Sequence, residues 1–241
     1  MSRNPELLIF DWDGTLMDSE ARIVACMQAA ANDLNFQIPD VQRTRNIIGL
    51  GLREAVLQLF PWIDEALAAQ MTLRYRHHFL NENTTPSRLF PGAAEAVREL
   101  ADRGYLLAVA TGKGRRGLDL VLESTDLADC FHATRCADET FSKPHPEMLR
   151  QIMDQLGVAP EKALMIGDTE YDLQMAKNAG VKSIAVSYGV HAVEKLLAHE
   201  PLFCLDDIRK IGECLAELER SWGGIGTKSA DSGQRADKIS H

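Results

Sequence analysis

Asp11 and Asp13 stand one residue apart, run straight into Gly14-Thr15, and follow directly on the apolar stretch Leu7-Leu8-Ile9-Phe10. Two carboxylates so close together can hold a divalent cation and still leave one oxygen to attack an electrophile. The four apolar residues read as a strand buried on both faces. A strand of that kind must bring its terminal aspartates to a solvent-accessible site, because an unpaired buried carboxylate is very costly. Gly14 allows the chain to turn at that point. An ordinary strand closed by an Asx-type turn would use the same residues, so the rest of the chain has to decide between the two.

Further polar groups stand where they can join this pair. Thr111-Gly112 follows the apolar run Leu106 to Ala110, and Gly167-Asp168, with Asp172 four residues on, follows Ala163 to Ile166. Lys143 lies between them in Ser142-Lys143-Pro144. Two more strand-like runs cover 183–186 and 203–205. Helical patterns fall between the strands, over Ala93 to Arg103, Gly117 to Leu122, Pro146 to Leu156 and Tyr171 to Asn178. This alternation predicts an α/β fold with a parallel sheet and helices on both faces. Such sheets bind ligands at the carboxyl ends of their strands, which is where the polar groups collect.

The segment 17–86 breaks the alternation and reads as helices only. Ile23, Val24, Met27, Ala30, Ala31 and Leu34 repeat at helical spacing. Leu52, Ala55, Val56, Leu59 and Phe60 form a second stripe, and Leu67, Met71, Tyr75, His78 and Phe79 a third. The expected organisation is a core of residues 1–16 and 87–222 carrying an inserted helical cap over 17–86. Residues 223–241 are rich in Gly, Ser and charge and too poor in apolar side chains to fold alone, so a disordered tail is expected there.

Composition narrows the function classes. The chain has 241 residues, 45% hydrophobic and 25% charged, with a net charge of −9. That is globular composition, and the negative balance argues against nonspecific nucleic-acid binding. No stretch approaches the ~20 apolar residues that cross a bilayer, and no secretory signal pattern opens the sequence. Its five cysteines are scattered and include no CxxC pair, which fits free thiols and a cytoplasmic location. Cys130, His132 and Cys136 fall short of the four ligands of a structural zinc site. His77 and His78 are adjacent, so on a helix they point to different faces; both groups read as structural.

Taken together and in order, Asp11-x-Asp13-Gly14-Thr15, Thr111, Lys143 and Gly167-Asp168-x-x-x-Asp172 resemble the four motifs of the haloacid dehalogenase superfamily. The helical insertion is similar to the C1 cap of its phosphoglycolate phosphatase-like group. The resemblance implies a Rossmann-like core and a phosphatase acting on a small phosphorylated metabolite, phosphoglycolate-like or a sugar phosphate. It implies Asp11 as the nucleophile that forms an aspartyl-phosphate, and Asp13 as general acid and then base. It implies Mg²⁺ held by Asp11, the backbone carbonyl of Asp13 and Asp168, an all-oxygen set suited to that ion. Asp172 would bind a metal water or orient Lys143. Thr111 and Lys143 would bind the phosphoryl group and offset its charge, with backbone N–H groups around Trp12 to Gly14 and at Gly112 completing the cradle.

Some features go beyond that pattern. Lys113, with Arg115 and Arg116, stands near the start of a helix, where cations are unfavourable; contact with an anionic substrate and simple solvation both account for it. Many relatives carry Asn where this chain has Gly112. Gly49 to Glu54 resembles the substrate-specificity loop of C1 caps, and Arg53 is its candidate for reaching the leaving group. Asp13 argues against a dehalogenase, which needs no acid for the leaving group. The lack of any lysine before Lys113 argues against a phosphonatase, which needs one in the cap. A phosphosugar mutase of the β-phosphoglucomutase type shares every core residue and stands second to the phosphatase. A non-catalytic binding protein stands lower, because all the acidic residues are present. The sequence has no feature that sets an oligomeric state.

Overall fold

The computed structural model describes residues 5–223. Strand β1 (Leu7–Phe10) is followed by the short strand β2 (Met17–Asp18) and four helices, α1 (Glu20–Asp33), α2 (Val41–Arg45), α3 (Leu52–Leu59) and α4 (Glu65–His77). The last runs into a π-helical turn over His78–Glu82. Strand β3 (Arg88–Leu89) returns the chain to the core, which continues through α5 (Ala93–Asp102), β4 (Leu106–Thr111), α6 (Arg115–Thr125), β5 (Ala133–Cys136) and α7 (Glu147–Leu156). It ends with β6 (Ala163–Gly167), α8 (Glu170–Ala179), β7 (Lys182–Val186), α9 (Val193–Leu197), β8 (Phe203–Leu205) and α10 (Ile211–Gly223).

Six strands form one parallel sheet in the order β5-β4-β1-β6-β7-β8. β1 lies inside it, pairing Phe10 with Val109 of β4 and with Ile166 of β6. The three strands therefore end together, which puts Asp11, Thr111 and Asp168 side by side at one edge. Alternation along β1 divides its side chains between two cores. Leu8 and Phe10 pack with Val97, Leu100, Leu118 and Leu215 on one face. Leu7 and Ile9 pack with Met148, Ile152 and Met175 on the other. All four β1 side chains are fully buried, as a strand covered on both sides requires.

The helical insertion has its own core, including Met27, Ala30, Val56, Leu59, Phe60 and Met71. Its two joints pair with each other: β2 and β3 run antiparallel, with Met17 opposite Leu89 and Asp18 opposite Arg88. The cap also rests on the core, where Ile23 and Ile48 meet Val190. No helix among the described residues is long and apolar enough to cross a membrane. The cysteines are free thiols. His132 accepts a hydrogen bond at Nδ1 from the Leu107 N–H, and His78 pairs with Asp33, both structural uses. Of the expected tail, residues 224–241 lie outside the described residues.

Because Ile9 is fully buried between β4 and β6, Ile9→Ala is expected to lower unfolding stability by about 2–5 kcal/mol through lost burial and a residual cavity. Urea denaturation of the two proteins measures the difference.

Candidate active site

β1 delivers Asp11 to the sheet edge with its carboxylate almost completely buried. Oδ1 accepts a hydrogen bond of 2.6 Å from the Trp12 N–H and pairs with Lys143 Nζ at 2.8 Å. Oδ2 is buried and has no hydrogen-bond partner. The same lysine pairs with Asp172 Oδ1 at 2.6 Å. The other oxygen of Asp172 accepts from the N–H and hydroxyl of Thr169, the residue that caps α8. Asp172 therefore closes a capping box with one oxygen and holds Lys143 with the other.

Asp168, at the end of β6, accepts from the Thr15 hydroxyl at 2.8 Å and the Val190 N–H at 2.8 Å. Gly14 is placed against it at a φ of +86°; a Cβ there would stand 2.2 Å from Asp168 Oδ2. Glycine is required twice at this position, for the dihedral and for the space.

Asp13 faces a different set of partners. Its Oδ1 accepts from the Ser19 hydroxyl at 2.6 Å, and its Oδ2 pairs with Lys113 Nζ at 2.9 Å. Lys113 Nζ also lies 4.7 Å from the centre of the Phe79 ring, a cation–π distance. Thr111 is fully buried beside the pair, and its hydroxyl accepts from the Lys113 N–H at 3.2 Å.

The electrostatics follow from burial. Desolvation pushes the Asp11 carboxyl well above the usual carboxylate range; Lys143 opposes the shift, while Asp172 and Asp168 add to it. Burial and the neighbouring Asp172 raise Asp168 to about 7. Burial alone would pull Lys143 down, but Asp11 and Asp172 outweigh it and hold the ammonium above the ordinary lysine range. One lysine among three acids leaves negative charge uncompensated. Oxygens of Asp11, Asp168 and Asp172 lie within 4.8 Å of one another. This all-oxygen set, with the partnerless Asp11 Oδ2 among it, fits a small hard divalent cation.

The structure thus brings together Asp11, Trp12, Asp13, Gly14, Thr111, Gly112, Lys143, Asp168 and Asp172. Lys113 joins them through Asp13. Arg53 lies at the rim of the adjoining cavity, half-exposed and ion-paired with Glu65. Arg115 is bound by Glu139 and Asp119 and stands apart from the cavity lining, whereas Arg116 is on it. Sequence reasoning named Thr15 and Ser142 only as members of their motifs, without a role, and passed over Ser19 and Val190. Nothing in the local sequence marks the Val190 N–H as a partner of Asp168, because the contact depends on how the chain leaves β7.

Gly112 has a specific use here. A Cβ at this position would stand 2.5 Å from the carbonyl oxygens of both Gly49 and Leu50. The space a larger residue would fill is taken by the backbone of the cap loop. That loop is tied down further by Ser142 Oγ, which accepts from the Gly51 N–H at 2.7 Å, and by the Tyr171 hydroxyl, which donates to the Asn46 carbonyl at 2.8 Å.

A parallel six-stranded sheet with acids at its carboxyl edge and a helical cap above them defines a cap-bearing, Rossmann-like α/β protein. The chain belongs to the haloacid dehalogenase-like hydrolases, whose family profile it matches over residues 8–186. It is 37% identical over 211 residues to "Probable phosphatase IndB" of Dickeya dadantii, covering 85% of this chain and 91% of that protein. It is 29% identical over 215 residues to "Pyrophosphatase PpaX" of Bacillus cereus (strain G9842), covering 89% and 98%. Among solved structures it is similar to "a predicted phosphatase from Clostridium acetobutylicum", with a TM-score of 0.81, 27% identity, and coverage of 90% of this chain and 100% of that one.

Two outcomes are expected from this geometry. Gly112→Asn, which puts a side chain into that space, must displace the cap loop. It is expected to lower kcat/KM by about tenfold or more, equivalent to ~1.4 kcal/mol of transition-state stabilisation; an unchanged value would show that the loop gives way freely. The second concerns protons. Asp168 in the metal-free protein binds a proton as pH falls through about 7, and that proton competes with a cation. Added Mg²⁺ is expected to raise Tm more at pH 8 than at pH 6, as read by scanning calorimetry. Equal shifts at both pH values would remove Asp168 from the metal set.

Proposed function

We propose that the protein is a Mg²⁺-dependent phosphatase that hydrolyses small organic phosphomonoesters through an aspartyl-phosphate. The observation that carries this reading is Asp11 itself, whose Oδ1 is fixed by Lys143 and the Trp12 N–H while Oδ2 has no partner. A buried carboxylate held in this way is oriented for attack and has little water to shed. The names of both relatives, a phosphatase and a pyrophosphatase, support hydrolysis over phosphoryl transfer between sugar positions. The phosphoglycolate-like and sugar-phosphate esters implied by the motifs set the starting range of substrates.

In the first step a carboxylate oxygen of Asp11 attacks phosphorus, and the bond between phosphorus and the ester oxygen breaks. Asp13, oriented by Ser19 and Lys113, gives its proton to the departing oxygen. In the second step Asp13 takes a proton from water, the water oxygen attacks phosphorus, and the Asp11–phosphorus bond breaks. Lys143 and the Thr111 hydroxyl face the transferring group, with the ammonium offsetting charge on its oxygens. Asp11 and Asp168, with the backbone carbonyl of Asp13, would hold Mg²⁺, which when bound reduces the repulsion between the Asp11 carboxylate and an anionic phosphate. Thr15 and the Val190 N–H fix Asp168, and Asp172 fixes Lys143.

The test is turnover of acetyl phosphate and an aryl phosphate by the wild type, with Mg²⁺ and with chelator, and by single variants. Asp11→Asn is expected to abolish turnover with the fold retained by circular dichroism; substantial residual turnover would sink the nucleophile assignment. Asp13→Ala is expected to slow both phosphorylation and dephosphorylation, by about 10²–10⁴-fold at the step that limits the rate. Lys143→Met removes the cation from among three buried acids, and a loss of both activity and thermal stability is expected.

A further inference from the structure

Above the acids, between cap and core, lies a cavity of about 710 Å³, within the range of roughly 300–1,000 Å³ typical of organic-ligand sites. Asp11, Asp13, Thr111 and Gly112 form its floor. Its cap-side wall is apolar and includes Ile23 and Met27 of α1, Ile48 of the docked loop, and Tyr75, Phe79 and Leu80 of α4 and the turn beyond it. Tyr75 and Phe79 stack at 5.7 Å between ring centres. The π-helical turn at His78–Glu82 shifts the register of the helix just where Phe79 and Leu80 reach the cavity. Turns of this kind are rare and recur at functional sites. Among the described residues the Tyr75 hydroxyl has no hydrogen-bond partner, so the wall also offers one polar group.

The cations nearest this wall are already engaged. Lys113 is held by Asp13 and the Phe79 ring, Arg22 by the Phe79 carbonyl and ring, and Arg53, further along the lining, by Glu65. Arg76 and Arg116 line the cavity but are exposed to solvent. A short carboxylate or a second phosphate in the leaving group would have only the solvent-exposed Arg76 and Arg116 as unengaged charge partners, and an exposed ion pair contributes little.

Resting on the phosphatase reading above, we propose that the leaving group accepted here is an uncharged ring system, aryl or nucleoside in kind, seated against the Tyr75–Phe79 wall. The cap selects such esters over phosphoglycolate and pyrophosphate. The floor binds the phosphoryl group common to all of them, and the wall buries the part that differs.

Binding to the Asp11→Asn protein with Mg²⁺, measured by calorimetry, tests this without requiring turnover. The probes are a nucleoside 5′-monophosphate, phenyl phosphate, 2-phosphoglycolate and pyrophosphate. At least one ring ester is expected to bind about tenfold or more tightly than either anionic probe, and comparing the two ring esters distinguishes nucleoside from aryl. Adding Tyr75→Ala is expected to weaken the preferred ring ester by about tenfold and 2-phosphoglycolate by less than about twofold. Phosphoglycolate or pyrophosphate binding as tightly as the ring esters would overturn the proposal. So would a Tyr75→Ala loss equal for both kinds, or no detectable binding of a ring ester. Failure of the phosphatase reading would appear separately, as absence of acetyl phosphate turnover by the wild type.

Discussion

Everything at the sheet edge is arranged around one buried ammonium. Lys143 Nζ bridges Asp11 and Asp172 at 2.8 and 2.6 Å with essentially no solvent contact. Burial alone would drive Asp11 and the lysine toward their neutral forms. Held together, they support one another's charge, and each fixes the rotamer of the next. The support extends outward to covalent structure that cannot easily move. Asp172 is the N3 residue of α8 and its second oxygen closes the helix cap, so Lys143 is referenced to a helix axis. Asp11 is referenced through β1 to the centre of the sheet. The Asp11 carboxylate is thereby positioned by two rigid elements rather than by a loop, the arrangement that preorganisation requires.

The charge balance also explains why the site is only half finished by protein groups. Asp168 accepts two hydrogen bonds, and burial still lifts it to about 7. More donors around the three acids would stabilise their charges and would also occupy the oxygens that a cation needs. The protein leaves Asp11 Oδ2 bare instead. A residual electrostatic penalty among the acids would make cation binding favourable, with some stability exchanged for affinity. The glycine at position 14 belongs to the same compromise, since its missing side chain, like that of Gly189, leaves room for Asp168.

The sequence reading recovered the core because its signals were local. An apolar strand ending in polar residues recurs at β1, β4 and β6, and parallel pairing turns those three repeats into one edge. The cap was legible as three helical stripes bounded by breaks, and its joints fall where β2 and β3 pair. Other features were not legible. β5 has the sequence Ala-Thr-Arg-Cys, with only its end residues buried, so it carries no apolar run to find. The short helices α2 and α9 have five residues each, too few for a periodicity to emerge. α10 did carry a stripe, at Ile211, Cys214, Leu215 and Leu218, and was passed over. The partners of Asp13 and Asp168 were hidden for a different reason: Lys113 and Val190 meet them across 100 and 22 residues of chain, and no spacing rule encodes such contacts.

Gly112 shows how a departure from a family pattern acquires meaning only in three dimensions. In the sequence it looks like a lost side-chain contact beside Thr111. In the structure the space is used by two carbonyls of the cap loop, so the site gives up a polar side chain and gains a closer roof. The two halves of the molecule then divide the substrate between them. The sheet edge, built from charges locked by one another, recognises what every phosphate ester shares. The cap is built on an independent apolar core; it meets the floor through backbone atoms at Gly49, Leu50 and Gly51 and through the Ser19 and Phe79 side chains, which touch Asp13 and Lys113. On the reading proposed above, selectivity would be a property of side chains on α1, α4 and the turn after it, and chemistry a property of the strand ends.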